Sequence, residues 1–287
     1  MKLEFTKMHG LGNDFVLVDC RDFDPPALPL LAQKICHRRF GIGADQLLLL
    51  YPSKVADFVM RIFNGDGSEV EMCGNGIRCF AKYVWDRELS GKRILEVETM
   101  AGIIRPEKVD GLVRVDMGEP VFDPEEIPVN ISESSKLIAH SSKTQESGIL
   151  LDYPLQIGDR EFKITCVSMG NPHAVIIVDN MAEFPVAYYG PLIENHSLFP
   201  RRTNVEFVEV MSPSEIRMRV WERGAGETMA CGTGASAAAV AVHLKELTGR
   251  SVTVHLNGGD LSIEWAVDNH VYMTGPAVEV FTGAITL

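Results

Sequence analysis

The segment Met72-Cys73-Gly74-Asn75-Gly76-Ile77-Arg78-Cys79 has a second rendering further along the chain, Ala230-Cys231-Gly232-Thr233-Gly234-Ala235-Ser236. Cys73 and Cys231 are 158 positions apart (231 − 73). The same offset pairs Gly12-Asn13 with Gly170-Asn171, Arg61 with Arg219, Glu69 with Glu227 and Ala81 with Ala239. It also pairs Glu88-Leu89-Ser90-Gly91 with Glu246-Leu247-Thr248-Gly249. Matches that cluster in short motifs at one ungapped offset indicate a duplication. The repeat exceeds the roughly 20–50 residues of solenoid units, so it is a duplicated domain.

Periodicity follows the same offset. Phe58, Met60 and Ile62 alternate with polar or small neighbours, as do Ile216, Met218 and Val220, and both stretches are predicted as strands with one buried face. Ile77, Phe80, Ala81, Val84 and Trp85 recur at helical spacing after the first cysteine; Ala235, Ala238, Ala239 and Val242 do so after the second. Gly91 and Gly249 stand where helix C-terminal caps are predicted. A later echo, Val115-x-Met117 and Val271-x-Met273, has slipped to 156. The expected fold is α+β: two pseudo-symmetric duplicated halves, each a strand-rich sheet wrapped around a principal helix, with the active site in the cleft between them.

Expected boundaries are 1–118 for the N-terminal half and 119–275 for the C-terminal half. The acidic, Pro-rich segment Gly118–Pro128 is the candidate linker. Ala277–Leu287 has no counterpart at the end of the first copy. By its residues alone it could join either half. Residues 276–287 are assigned as a terminal strand returning to the N-terminal half.

The 287 residues carry 27 Lys+Arg against 39 Asp+Glu, a net charge of −12, which argues against nucleic acid as a partner. No apolar run approaches the ~18 residues of a membrane helix. Met1–Gly10 lacks the apolar stretch of a secretion signal, so no membrane partner and a cytoplasmic location are expected. Cys20, Cys36, Cys73, Cys79, Cys166 and Cys231 include no Cys-x-x-Cys, and no His pair completes a zinc set, so no metal site is expected.

Each repeated cysteine is predicted at a helix N-terminus, where unpaired N–H groups and the helix dipole favour a thiolate and lower its pKa. Adjacent glycines allow close approach to the backbone, and the N–H groups of Gly74, Asn75, Gly232 and Thr233 suit a carboxylate. Two symmetric acid/base groups on one carbon can take a proton from one face and return one to the other, which is racemisation or epimerisation. The carbanion would be stabilised by the N–H groups around the carboxylate. No pyridoxal site is visible in the sequence, and no cofactor is expected.

Asp66-Gly67-Ser68-Glu69-Val70-Glu71-Met72-Cys73-Gly74-Asn75-Gly76 and Glu222-Arg223-Gly224-Ala225-Gly226-Glu227-Thr228 through Ala230-Cys231-Gly232-Thr233-Gly234 closely resemble the diaminopimelate epimerase family. Gly12-Asn13-Asp14-Phe15, Gly170-Asn171-Pro172-His173-Ala174 and Arg202-Thr203-Asn204-Val205-Glu206-Phe207 resemble it in the same order, across nearly the whole chain. The resemblance implies a cofactor-independent isomerase that interconverts LL- and meso-2,6-diaminopimelate on the route to lysine and peptidoglycan. It implies Cys73 and Cys231 as the catalytic acid/bases. Asn13, Gln46, Asn64, Gly74, Asn75, Asn171, Asn204, Glu222, Arg223, Gly232 and Thr233 match substrate-contacting positions, and His173 and Glu222 match positions that influence the thiol pKa values. The offset pairs Asn13 with Asn171, Gln46 with Asn204 and Asn64 with Glu222, so these positions are themselves duplicated. The expected partner is a small zwitterionic amino acid, whose ammonium and carboxylate groups need acceptors and donors at both ends. Phe281 matches a position in the family's dimer interface that is Tyr in some members, so a homodimer is expected.

Three other readings compete. A proline-racemase-type enzyme resembles this chain around the cysteines but lacks the Glu222–Thr228 run. In a non-catalytic amino-acid-binding protein the paired thiols would be superfluous. A cysteine hydrolase needs a Cys–His pair, for which His173 is the candidate partner.

Overall fold

In the computed structural model, which describes residues 2–131 and 148–286, contacts divide the chain into two units. One comprises Met1–Asp116 and Thr274–Leu287, the other Met117–Met273.

In the first unit, the alternating apolar runs form β1 (Lys2–Gly10), β2 (Asn13–Asp19), β3 (Gln46–Pro52), β4 (Phe58–Asn64), β5 (Glu69–Val70), β6 (Val97–Thr99) and β7 (Gly102–Ile104). β8 (Glu107–Val109) and β9 (Leu112–Asp116) follow as an antiparallel hairpin. The terminal strand β19 (Val278–Thr286) pairs antiparallel with β1 at the sheet edge, giving the order β19-β1-β2-β3-β4-β6-β7, with β5 on β4. Two helices cover this sheet, α1 (Leu28–Cys36) and α2 (Gly74–Asp86). Leu47 to Leu50 in β3 are all fully buried because the strand is covered on both faces. Leu47 and Leu49 pack in a core cluster with Leu28, Leu31, Ala32 and Ile35 of α1. Leu48 faces Gly76 of α2, and Phe58 meets Phe80 of α2 edge-on.

The second unit repeats this plan. β10 (Tyr153–Ile157), β11 (Arg160–Ser168), β12 (Pro172–Ile177), β13 (Asn204–Ser212), β14 (Glu215–Glu222), β16 (Ser251–Leu256), β17 (Gly259–Trp265) and β18 (Val271–Gly275) lie in that order in the sheet, with β15 (Gly226–Thr228) on β14. The pairing senses match those of the first unit. β1–β2 and β11–β12 are antiparallel, β2–β3 and β12–β13 parallel, β3–β4 and β13–β14 antiparallel, and β4–β6 and β14–β16 parallel. α3 (Val186–Glu194) packs in the core with Phe162, Phe184 and Phe207. α4 (Gly232–Leu244) has the same 13-residue length as α2 and begins and ends 158 positions later. Its run of small residues, Ala235 to Val242, is buried throughout.

The α+β fold in two strand-rich halves is as expected, and three details differ. Helix ends α2 and α4 turn through left-handed Glu88 (φ 54°) and Glu246 (φ 59°), not through Gly91 and Gly249. The N–H groups of Leu89 and Leu247 bond back to the carbonyls of Val84 and Val242, which closes the last turn before those glycines are reached. α1 and α3 add a second helix to each half. Gly118–Pro128 is not a free tether: Val121 bridges Ser168 and Ile127 is buried in the second unit's core, so its few apolar residues anchor it.

The loop between α1 and β3 folds back on the helix end so tightly that a Cβ on Gly41 would lie 2.1 Å from the carbonyl oxygen of Lys34 and 2.6 Å from that of Ile35. Backbone oxygens cannot rotate away as a side chain can. Gly41→Ala is therefore expected to lower stability by about 2–3 kcal/mol, read as a lower urea midpoint at unchanged slope.

Candidate active site

Both repeated cysteines are helix N-caps. Cys73 (φ −140°, ψ 117°) and Cys231 (φ −125°, ψ 116°) sit in extended backbone just before α2 and α4. Each sulfur accepts from the N–H three residues on, Gly76 or Gly234, at 3.4 Å. A sulfur in this position satisfies one of the donors that every helix leaves open at its start.

In the first half, strand ends carry the other residues to this turn. The β1–β2 hairpin turns through two left-handed residues, Leu11 (φ 55°) and Gly12 (φ 88°), and places Asn13 at the start of β2. Asn13 Oδ1 faces Cys73 Sγ at 3.8 Å and accepts from Asn75 Nδ2 at 3.2 Å. Asn13 Nδ2 donates to Asp45 at 2.9 Å. Behind it, Arg38 and Lys7 bind Asp14; burial opposes the charge of that carboxylate, but these two cations hold its pKa well below the usual range. Gln46 and Asn64 are register partners at the adjacent ends of β3 and β4, and Gln46 Nε2 donates to Asn64 Oδ1 at 2.8 Å. Gln46 Oε1 is buried without a hydrogen-bond partner among the described residues. The hairpin that leads to Cys73 is braced by Arg61–Glu69 at 2.7 Å, and the one that leads to Cys231 by Arg219–Glu227 at 2.7 Å.

The second half puts other chemistry at matching places. His173, fully buried, shares hydrogen bonds with Glu206 Oε1 at 2.7 Å and Asn171 Oδ1 at 3.0 Å. Asn204 donates to the Pro172 carbonyl at 2.8 Å and accepts from the Arg223 N–H at 2.9 Å. Thr233 Oγ1 lies 3.4 Å from Cys231 Sγ. Glu222 accepts from Thr228 and from Cys231, and burial raises its pKa. The Arg223 side chain is exposed and reaches the Arg201 carbonyl.

The thiol pKa expected from the helix dipole does not hold for Cys231. Burial first, then the charges of Glu222 and Glu206, push it well above the ordinary thiol range. A helix dipole contributes about 0.3–1 kcal/mol, whereas full burial shifts a group by several pKa units, so burial wins. Cys20, Cys36, Cys79 and Cys166 are ordinary buried thiols, each pushed up to about 12 by desolvation. No cluster of His, Cys, Asp and Glu able to hold a metal occurs among the described residues. No helix among them is long and apolar enough to cross a membrane. Sequence reasoning overlooked Glu206. Its signal was a carboxylate in an apolar strand at the position matched by Leu48 in the first copy.

A family model described as diaminopimelate epimerase matches residues 5–122 and 165–280. The diaminopimelate epimerase of Moorella thermoacetica is 56 % identical over 293 aligned positions, covering 99 % of this chain and all of that relative. That of Acetivibrio thermocellus is 53 % identical, covering 99 % of each. Among solved structures, a PhzF-family phenazine biosynthesis protein from Bacillus anthracis superposes over the whole of both chains, with TM-score 0.70 and 17 % identity. A hydroxyproline epimerase from Agrobacterium vitis does so over 99 % of this chain and 92 % of its own, with TM-score 0.67 and 13 % identity. These structural likenesses establish a shared fold.

The two caps differ in how much room surrounds the glycine that donates to sulfur. A Cβ on Gly234 would lie 2.7 Å from Glu206 Oε1 and 3.3 Å from Cys231 Sγ, whereas one on Gly76 would meet Leu48 and the Cys73 Cβ at 3.3 Å. Alanine gains about 1 kcal/mol of helix propensity at either site. Gly234→Ala should nonetheless lose about 1–3 kcal/mol through overpacking, with Gly76→Ala losing less; thermal unfolding of the two variants side by side gives the order.

Proposed function

The chain belongs to the diaminopimelate epimerase family, and from that premise we propose that it interconverts LL- and meso-2,6-diaminopimelate by two-base proton transfer at the α-carbon, without a cofactor, in lysine and peptidoglycan biosynthesis. The observation that carries the mechanism is the pair of cysteine N-caps, alike in backbone angles and in their 3.4 Å contact to the i+3 amide.

One cysteine acts as thiolate and takes the α-proton onto sulfur. The electron pair left on carbon is stabilised by the N–H groups around the substrate carboxylate. The second cysteine, a thiol, delivers its own proton to the opposite face and becomes the thiolate. The enzyme therefore ends the turnover with the two roles exchanged, and the reverse reaction restores them. This chemistry requires one thiol on each face of the same carbon. The backbone N–H groups of Gly74, Asn75, Gly232 and Thr233, at the two helix starts, suit the carboxylate. Asn13, Gln46, Asn64, Asn171, Asn204, Glu222 and Arg223 supply the remaining substrate contacts; the unpartnered Gln46 Oε1 is an acceptor for an ammonium group. His173 and Glu222 act on the thiol charge at Cys231.

A homodimer through the β19 edge is part of this reading. β19 ends the sheet path with Val280 and Phe281 about half exposed, and Phe281 lies edge-on to Phe5 at 6.0 Å. An exposed apolar edge strand invites pairing with another chain. Phe281 has no hydroxyl, so its contribution is apolar contact.

With LL-diaminopimelate in deuterated water, the protein should exchange the α-hydrogen and form the meso isomer, followed by NMR. Cys73→Ala and Cys231→Ala should each abolish epimerisation; appreciable activity in either variant, or no exchange by the unaltered protein, would refute the two-base assignment. Sedimentation should find a dimer that Phe281→Asp converts to monomer, and a monomeric starting protein would end the dimer proposal.

A further inference from the structure

The offset that aligns the cysteines also aligns what lies beneath them. Under the first helix start, Gly76 is backed by two hydrocarbon side chains: a Cβ there would meet Leu48 Cδ2 at 3.3 Å and Phe15 Cε1 at 3.5 Å. The residues 158 positions later are Glu206 and His173. They occupy the equivalent strands, β13 and β12 in place of β3 and β2, and both are fully buried. Glu206 Oε1 lies 2.7 Å from where a Cβ on Gly234 would be and 2.7 Å from His173 Nδ1; Glu206 Oε2 has no hydrogen-bond partner among the described residues. The titratable groups facing Glu206 are His173 from β12, Cys166 from β11, Glu222 from β14 and Cys231 at the cap of α4.

Phe15 and Leu48 show that this fold closes the space beneath the cap with hydrocarbon. A buried carboxylate with one oxygen unsatisfied costs several kcal/mol by comparison, so packing alone does not call for it. What the second half gains is a negative charge fixed against the helix start that carries Cys231, and a rigid hydrogen-bonded ring beside Asn171.

We propose that Glu206 is a positioning residue for proton transfer at Cys231: its carboxylate fixes the His173 ring beneath the α4 N-terminus, and its charge keeps Cys231 a thiol, so that this cysteine enters the cycle as the acid. This rests on the reading of Cys231 as one of the two acid/bases. Glu206 is fully buried and hydrogen-bonded to His173, so its effect reaches the chemistry through His173 and the sulfur. The two halves then share one frame but differ in charge at its most buried point, which gives the otherwise matched thiols opposite starting states.

The test reads each thiol without turnover. Iodoacetamide alkylation of Cys73 and Cys231 is followed separately by peptide mass spectrometry across pH 6–10. In Glu206→Gln, which keeps the shape and removes the charge, alkylation of Cys231 at neutral pH should rise about tenfold, equivalent to one pH unit, with Cys73 within about twofold of its original rate. Glu206→Asp, which keeps the charge, should leave the Cys231 profile near its starting position. A Cys231 profile unmoved in Glu206→Gln, or moved equally by Glu206→Asp, overturns the proposal, because a space-filling residue would act through shape. If Glu206→Gln does not fold by circular dichroism, Glu206→Leu supplies the residue that the first half uses at this place and is read by the same criteria. Because alkylation needs no substrate, its outcome stands apart from whether diaminopimelate is epimerised.

Discussion

A thiol that caps a helix imposes conditions on its neighbours, and most of the local architecture answers them. The sulfur must lie over the first turn, so the cysteine takes an extended backbone and its Sγ meets the N–H of the third residue on. That third residue has its Cα pressed against the cysteine, with 3.3 Å between a hypothetical Cβ and the cysteine Cβ in both halves. Glycine fits there and leaves the N–H free to point at sulfur. The first turn of a helix has further backbone N–H groups with no carbonyl partner inside the helix. A turn built this way places a thiol beside the backbone donors of a helix start, and the surrounding strands deliver amides and carboxylates to its rim.

The same scaffold occurs twice, with strand pairings of the same sense and helices of equal length, yet it does not make the two sulfurs equivalent. Beside Cys73 stands the amide of Asn13, which is held in turn by Asn75 and Asp45. Around Cys231 the neighbours are a hydroxyl and a carboxylate, Thr233 and Glu222, with a second carboxylate beneath. Duplication repeats the geometry of the capped thiol in each half. Divergence at Asn64/Glu222 and Leu48/Glu206 puts carboxylates around Cys231 where the first half has an amide and a hydrocarbon.

Much of this was legible because the duplication kept its register. Arg61, Glu69, Arg219 and Glu227 matched at one offset, and each arginine binds the glutamate of its own half. The helix bounds repeat to the residue, since neither half carries an insertion between its cysteine turn and its helix end. α1 carried a signal that passed unread: Leu28, Leu31, Ala32 and Ile35 stand at helical spacing after a proline-tolerant start. α3 carried a misleading one, because Gly190 and Pro191 fall inside it. Gly190 is needed there since a Cβ would lie 2.5 Å from the Trp221 ring, and that close approach is a tertiary fact. The pKa of Cys231 could not be read for a similar reason. Position at a helix start is local and visible in sequence, whereas burial is tertiary and the facing carboxylates, Glu206 and Glu222, come from two separate strands, β13 and β14.

The terminal strand shows where the internal symmetry is achieved by unlike means. β10 lies antiparallel to β11 and belongs to the same half, while the matching edge beside β1 is filled by β19 from the far end of the chain. The first half thus depends on residues that follow the whole of the second. The dependence reaches the cysteine turn through Arg78, which is fully buried. Its Nε donates to the carbonyl of Pro276, just before β19, at 3.2 Å. Its Nη1 and Nη2 donate to the Gly74 carbonyl at 3.2 Å and to Asn75 Oδ1 at 2.9 Å. With its oxygen committed to Arg78, the Asn75 amide turns its nitrogen to Asn13, whose oxygen faces the Cys73 sulfur. The matching residue in the second half is Ser236, which donates within its own helix, to the Gly232 carbonyl at 3.0 Å. One cysteine turn is therefore fixed by its own strands and helix, and the other by an arginine that reads the position of the chain's last strand.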